Sequence, residues 1–380
     1  MENLKRYLSV AFLVLGCMMP VSAQNIVGLL KKVGAAIDSM SVSGLDSRYI
    51  ESPAKPWQVI VKGNVNQSVL SMNTNGNIAG FDYVARPYLK TEPSQYVGLW
   101  AGYRGYGLGY TVNVGGDDGS YFTFGATGGA YGVNVRLHRF ENDHPNFNLQ
   151  SAIIPEESKD AWERVKLIDP IKMHTVIADG YYLFNGKRFS YAAAYDQSVI
   201  QKRSAGSLMA GAMYYYGSID YASNYNGDLV YVMRGLGRVK LWQGSVGIGY
   251  AYNWVPVRGL LINAMAMPMI TFVNKIKVYS YSTNVEELMT EPWFLDEAEE
   301  MTDEEWDQWF YERVRIEPKG NKLFNSGMRV NFDARLSVTY NFSNWFVNAY
   351  GQFNNFRYKH SANYGHMNDW FINASIGVRL

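Results

Sequence analysis

Cysteine is all but missing. The chain of 380 residues has one, Cys17, and it lies inside a stretch that reads as an export signal. Lys5 and Arg6 precede an apolar core from Leu8 to Met19, and Val21-Ser22-Ala23 forms a small-residue cleavage site before Gln24. The rival reading is a lipoprotein signal, Val14-Leu15-Gly16 ahead of Cys17, which Leu15 fits poorly. A chain exported without cysteine cannot be stapled by disulfides and needs another source of stability. A closed, fully hydrogen-bonded sheet is one.

Charge is scarce as well. Charged residues make up 18% of the chain and the formal net charge is +1. Average chains carry about a quarter. A near-zero net charge argues against nucleic acid as a partner, since nucleic acid needs a basic face. Long apolar runs are missing too. Beyond the signal no stretch reaches 18 consecutive apolar residues, so no transmembrane helix is expected. The five histidines, His138, His144, His174, His360 and His366, show no metal-ligand spacing. No Gly-x-Ser-x-Gly elbow is present. The reading therefore assigns no catalytic residue, no metal and no cofactor.

What is plentiful is aromatic and alternating. Aromatics reach 15%, with 29 Tyr, beside 36 Gly. In the last eleven residues, Trp370, Ile372, Ala374, Ile376, Val378 and Leu380 alternate with Asn373, Ser375, Gly377 and Arg379. That period of two makes a strand with one apolar and one wet face. Tilted at about 45°, such a strand crosses a bilayer core. At a C-terminus it would close a barrel against the first strand, although Leu380 stands where many such chains end in Phe or Trp. The last strand of a soluble sandwich alternates in the same way. The stretch 328–342 decides between them. It places eight apolar residues in phase, from Met328 to Phe342, against Arg329, Asn331, Asp333, Arg335, Ser337, Thr339 and Asn341. Soluble strands average five or six residues.

These patterns predict an all-β fold, a transmembrane antiparallel β-barrel of about 14 strands, with 12 as the alternative. The domains are a signal peptide at 1–23, a periplasmic arm at 24–56 and the barrel at 57–380. Ile26, Leu29, Leu30, Val33 and Ile37 sit at helical spacing, so the arm should hold a short helix. Strands are expected near 57–70, 78–90, 95–104, 106–114, 120–128, 130–140, 172–184, 188–198, 205–219, 246–254, 260–273, 328–342, 345–358 and 370–380. Asn185-Gly186 reads as the tight turn between the seventh and eighth. In the eleventh, Asn263, Met265, Met267, Met269 and Thr271 share a face; methionines there either fill gaps in packing or form an apolar ligand track. An even count puts both termini in the periplasm. Loops 220–243, 274–325 and 359–365 then lie outside, and loop 141–170 falls, against expectation, on the side where turns are short. From Glu286 to Asp307 there are eleven acidic residues and no basic one. Thr302 and Glu305 fit a capping box, so a surface helix near 303–313 is expected.

The same parity points Lys62, Arg136, His138, Asp179, Asp196, Arg329, Asp333 and Arg335 into the lumen. Charges inside a barrel pair across it or line a wet path. Three functions fit. The first is a pore or passage for small solutes or apolar molecules. The second is a non-transporting envelope or surface-binding barrel acting through its long loops. The third is a lipid-modifying barrel enzyme, in which His138 and His174 would be the bases to test.

Residues Tyr181 to Ser207, with Phe-Asn-Gly-Lys-Arg-Phe-Ser-Tyr and Gln-Lys-Arg-Ser-Ala-Gly-Ser, resemble a known family, as does Asp46-Ser47-Arg48-Tyr49-Ile50-Glu51. It is a family of Bacteroidetes outer-membrane proteins known only as domain of unknown function 4421. The resemblance covers nearly all of the chain beyond the signal. It implies the barrel fold and the outer membrane, and with them outer-membrane lipid and the barrel-assembly machinery as partners. It brings no known activity, so it assigns no site residue.

Overall fold

The computed structural model describes residues 35, 37, 39 and 44–380, except 79–80, 86–87, 91–92, 117, 148, 152–162, 165, 292–300 and 361–362. The expected signal at 1–23 lies outside the described residues. So does most of the arm's helix, of which Ala35, Ile37 and Ser39 are described and helical.

Twelve antiparallel strands close into a barrel. They are β1 (Trp57–Ile78), β2 (Ser94–Tyr103), β3 (Tyr106–Gly115), β4 (Gly119–Thr127), β5 (Tyr131–Asn142) and β6 (Ile171–Leu183). After these come β7 (Ala205–Asp220), β8 (Leu236–Trp254), β9 (Leu260–Thr283), β10 (Arg329–Phe342), β11 (Trp345–His360) and β12 (Asn363–Arg379). Each pairs with the next, and β12 pairs with β1 through Gln58↔Arg379 to Asn73↔Tyr364. The seam therefore leaves no free edge, which is what lipid demands of a spanning sheet. One extra strand, Ile316–Asn325, runs beside the upper part of β9 and leads into β10.

The alternation has a physical cause. Outward positions meet hydrocarbon, so Val246, Ile248, Tyr250, Tyr252 and Trp254 of β8 are exposed, while Ser245, Ala251 and Asn253 are buried inward. On β10, Val330, Phe332, Leu336, Val338 and Tyr340 are exposed, while Asn331, Asp333, Arg335, Ser337 and Thr339 are buried. Trp242 and Trp254 stand about twelve residues apart on β8. At about 3.4 Å per residue and a tilt near 40°, that is roughly 30 Å of height, the thickness of a hydrocarbon core.

Two of the fourteen expected strands are not staves, which leaves the twelve of the alternative count. The stretch 78–90 forms short pieces, Phe81–Ala85 and Tyr88–Lys90, which pair with the upper end of β1. Arg86-Pro87 separates them in sequence, and proline has no N–H to give a ladder. The stretch 188–198 is a helix, α1 (Tyr191–Tyr195), capped by Ser190, whose hydroxyl accepts from the Ala193 amide at 3.1 Å. Its Ala192-Ala193-Ala194 run is strong helix-forming sequence. Asn185-Gly186 is correspondingly not a hairpin. The Arg188 and Phe189 amides turn back to the Asn185 carbonyl, and Gly186 lies so close to Gly129 that a Cβ would stand 2.1 Å from that residue's carbonyl oxygen.

With twelve staves the sidedness becomes consistent. The described residues of segment 143–170 lie at the same end as the connection 221–235 and the described residues of 284–315, called here the loop end. Its opposite holds Trp57, Leu380 and the turns at 104–105, 128–130, 255–259 and 343–344. At the loop end, α2 (Gly227–Val232) packs Leu229 and Val230 among Phe140, Leu167, Ile171, Met173 and Tyr221. The capping box is formed: the Thr302 amide and hydroxyl donate to the Glu305 carboxylate at 2.9 Å, ahead of the helix Asp303–Arg313.

Candidate functional site: the plugged lumen

Residues 184–204 leave the end of β6, enter the lumen and return to β7. Phe189, Ser190, Tyr191, Ala192, Ala193 and Ala194 are all buried there. The arm is joined to this plug. Ile50–Glu51 pairs with Ile200–Gln201, the Lys202 amide donates to the Tyr49 carbonyl, and the Asp46 amide donates to the Lys187 carbonyl. Arg188 and Arg203 face the ring of Tyr49 at 5.2 and 6.0 Å. The two sequence segments that carry the family resemblance thus form one assembly.

Asp46 fixes the junction. Its carboxylate accepts from Arg48 at 2.8 Å and lies 3.8 Å from Arg188. The Arg48 hydrogen bonds hold its pKa down at about 2, from an ordinary 3.8. A lowered carboxylate pKa gives stability that is present above 3.8 and is lost as pH falls through about 2. The protection factors of the Tyr49, Ile50 and Glu51 amides, exchange taken relative to the intrinsic rate at each pH, are therefore expected to fall between pH 4 and pH 2 in the native chain, and to be flat over that range in Asp46→Asn. Equal profiles would show that Asp46 does not hold the arm.

The wall holds the plug by polar contacts. Asn253 donates to the Ser190 carbonyl at 2.9 Å and to Gln201 at 3.0 Å, and Asn348 donates to the Ala194 carbonyl at 3.2 Å. The Tyr195 hydroxyl donates to Asn263 at 2.5 Å, and Gln58 donates to the Asp196 carbonyl at 3.3 Å. Arg379 donates twice to the Gln197 carbonyl, at 3.1 and 2.8 Å. Thr127 donates to the Asp196 carboxylate. Burial pushes the Asp196 pKa up, against hydrogen bonds from Ser198 and Thr127 that lower it.

Five of the eight charged or histidine positions read from parity, Lys62, Arg136, Asp179, Asp196 and Arg335, surround one cavity of about 90 Å³ beside Tyr191. Arg335 is its centre. It lies 3.3 Å from Asp179 and 3.2 Å from Asp333, and donates to the Tyr191 hydroxyl at 2.7 Å. Tyr181 donates to Asp333 at 2.7 Å, and Asn134 donates to Asp179 at 2.8 Å and to Tyr191 at 2.9 Å. Asp333 stands behind Arg335, off the cavity lining. Arg136 lies 3.8 Å from Asp369, and Lys62 faces the ring of Trp100 at 5.1 Å. His138 lies elsewhere in the lumen, stacked on Tyr121 at 3.8 Å and Phe140 at 4.5 Å, with Tyr96 at 3.1 Å from its Nε2. Arg329 stands apart near the loop end, bonded to the Met328 carbonyl. His174 is on the outer face, next in sequence to Thr175, the register partner of His138, so the barrel wall separates the two rings. Asp196, expected on a strand, belongs instead to the C-terminal cap of α1.

The list of lumen charges left out Asp369, the plug's tyrosines, and Arg379, which parity had placed on the wet face of the last strand. Inward asparagines at 134, 253, 263 and 348 were the available signal, since a polar amide facing a filled lumen must find a partner. Met265, Met267 and Met269 are buried against Tyr181, Leu183, Met209 and Met213, so they pack the lumen.

Residues 44–379 match a family model described as Domain of unknown function (DUF4421). The chain belongs to that family. No curated protein matches it. Among solved structures it is similar to the β domain of the Bordetella autotransporter BrkA, at 10% identity and TM-score 0.32, over 86% of this chain and 100% of that one. It is also similar to OmpT, an outer membrane protein of Vibrio cholerae, at 7% identity and TM-score 0.27, over 86% and 98%. A third is the Pseudomonas putida toluene transporter TodX, at 7% identity and TM-score 0.24, over 90% and 96%. At these identities and scores nothing about activity passes from them to this DUF4421 chain.

Proposed function

We propose that this DUF4421 chain is exported by a cleaved signal at 1–23 into the outer membrane of a Bacteroidetes cell, where it is a passage for small solutes that is closed at rest. Residues 24–56 are the periplasmic arm, and the barrel-assembly machinery inserts 57–380. The observation that carries the reading is the chemistry of the plug's seat. Buried ion networks stabilise less than apolar packing of the same volume. A lumen that never opened would be filled best by apolar side chains. This one is lined on one side by Arg335, Asp179, Asp333, Asn263, Asn348 and Arg379, groups that water can satisfy once the plug moves. A second reading, a permanently sealed barrel acting through its loops, is favoured by the apolar packing of Leu229 and Val230 at the loop end.

Single-channel conductance of the refolded chain separates the two. The native protein is expected to be silent in a planar bilayer. Replacing 186–203 by a short Gly-Ser linker is expected to give reproducible steps. A folded, plugless barrel that stays silent would sink the passage and leave the sealed barrel.

A further inference from the structure

The outer face of the barrel is indented. A lipid-facing groove of about 500 Å³ crosses β5 to β9, lined by Val133, Gly180, Ala212, Tyr214, Val246 and Phe272. The wall is indented there because Ala178, Gly180, Ala212 and Gly244 are small, and because the β8–β9 register slips between Gly244 and Ser245. Immediately above it, towards the loop end, Tyr216 and Trp242 pair with rings 5.7 Å apart. Aromatic pairs at this height mark the boundary between hydrocarbon and headgroups.

One step higher the face turns basic. Lys240 stands directly opposite Lys277 in the register, and Lys275 is opposite Trp242. Lys240, Lys277 and Arg238 gather round the ring of Tyr279 at 5.6, 5.0 and 5.6 Å. Neighbouring charges are already matched: Arg238 to Asp220, Arg139 to Glu141 at 3.3 Å, and Lys172 to Asp169 at 3.5 Å. Among the described residues no ion pair involves Lys240, Lys275 or Lys277. Like charges placed opposite each other across two strands are destabilising. An anion between them reverses that sign. Two to four residues separate these lysines from the groove, about 7–14 Å along the strand. That is the offset between a lipid phosphate and the upper part of its acyl chains.

We propose that this face binds one phosphate-bearing membrane lipid, with an acyl chain in the groove and the phosphate between Lys240 and Lys277, Lys275 beside it. The site takes the transmembrane fold as given and is independent of whether the lumen opens.

The test is native mass spectrometry of the full chain from neutral detergent, with dioleoyl phosphatidic acid as probe and dioleoylglycerol, the same chains without phosphate, as control. One phosphatidic acid per chain is expected to be retained, and dioleoylglycerol to be lost. Lys240→Gln with Lys277→Gln is expected to weaken retention at least about tenfold, since charge-assisted contacts are lost. Lys240→Arg with Lys277→Arg should retain it. Ala212→Phe fills the groove and should also weaken it with every lysine in place. The proposal is overturned by equal retention of both lipids, by indifference to the glutamine pair, by full displacement with inorganic phosphate, which would mark a free-anion site, or by a dimer that buries this face without lipid. A chain that stays dispersed in water without detergent would instead defeat the transmembrane reading itself.

Discussion

Arg335→Leu is expected to cost about 3–5 kcal/mol of barrel stability, the largest effect of any single substitution in the lumen. The guanidinium is 4% exposed and the Asp333 carboxylate 1% exposed. Removing the arginine leaves Asp179 and Asp333 buried with no cation in contact, and takes a donor from the Tyr191 hydroxyl. The loss should be recovered in large part by adding Asp179→Asn and Asp333→Asn, because then no charge is stranded. Arg335→Lys should fall between, since an ammonium cannot reach both carboxylates and Tyr191 with one planar fork. Urea unfolding in lipid vesicles, followed by tryptophan fluorescence, measures all four. If the triple variant is no more stable than Arg335→Leu, the ion network is not what the arginine serves.

Ile248→Lys is expected to cost about 2–4 kcal/mol although Ile248 is 68% exposed. It lies midway between Trp242 and Trp254, so its side chain points into the centre of the hydrocarbon layer. On a soluble sandwich the same change would be a surface substitution within about 0.5 kcal/mol. The same vesicle measurement therefore tests the environment of the wall. Lys at 254, near the interface, should cost about 0–1 kcal/mol. Equal tolerance at both positions would contradict a lipid-facing belt.

Much of the wall was legible because hydrocarbon on one side and a wet or polar lumen on the other impose alternation at every outward position. β10 is the clearest case: a single slip would put Arg335 into lipid. The plug escaped the same reasoning. Inside a lumen neither face of a segment meets lipid, so Phe189-Ser190-Tyr191-Ala192-Ala193-Ala194 carries no membrane signature and resembled a short strand. Its cost was a false stave and, with the hairpin at 78–90, a loop 141–170 placed at the wrong end. The candidate site was half legible for a related reason. Parity tells which face a residue occupies, and so put Asp179 and Arg335 in the lumen. It carries nothing about height or about what stands across the barrel, and β6 and β10 are not neighbours. Their contact depends on tilt and closure, which appear in no local pattern.

The plug also sets an order of events in time. It lies mid-chain, between β6 and β7, yet its partners Gln58, Asn348 and Arg379 come from β1, β11 and β12. Those hydrogen bonds cannot form until the last strand has been made and has met the first. The helix therefore finds its final seat only after the seam has shut. Maturation should thus be biphasic, a sheet-forming phase followed by a slower docking phase that reports on Tyr191 and Tyr195, with long-range contacts setting the pace.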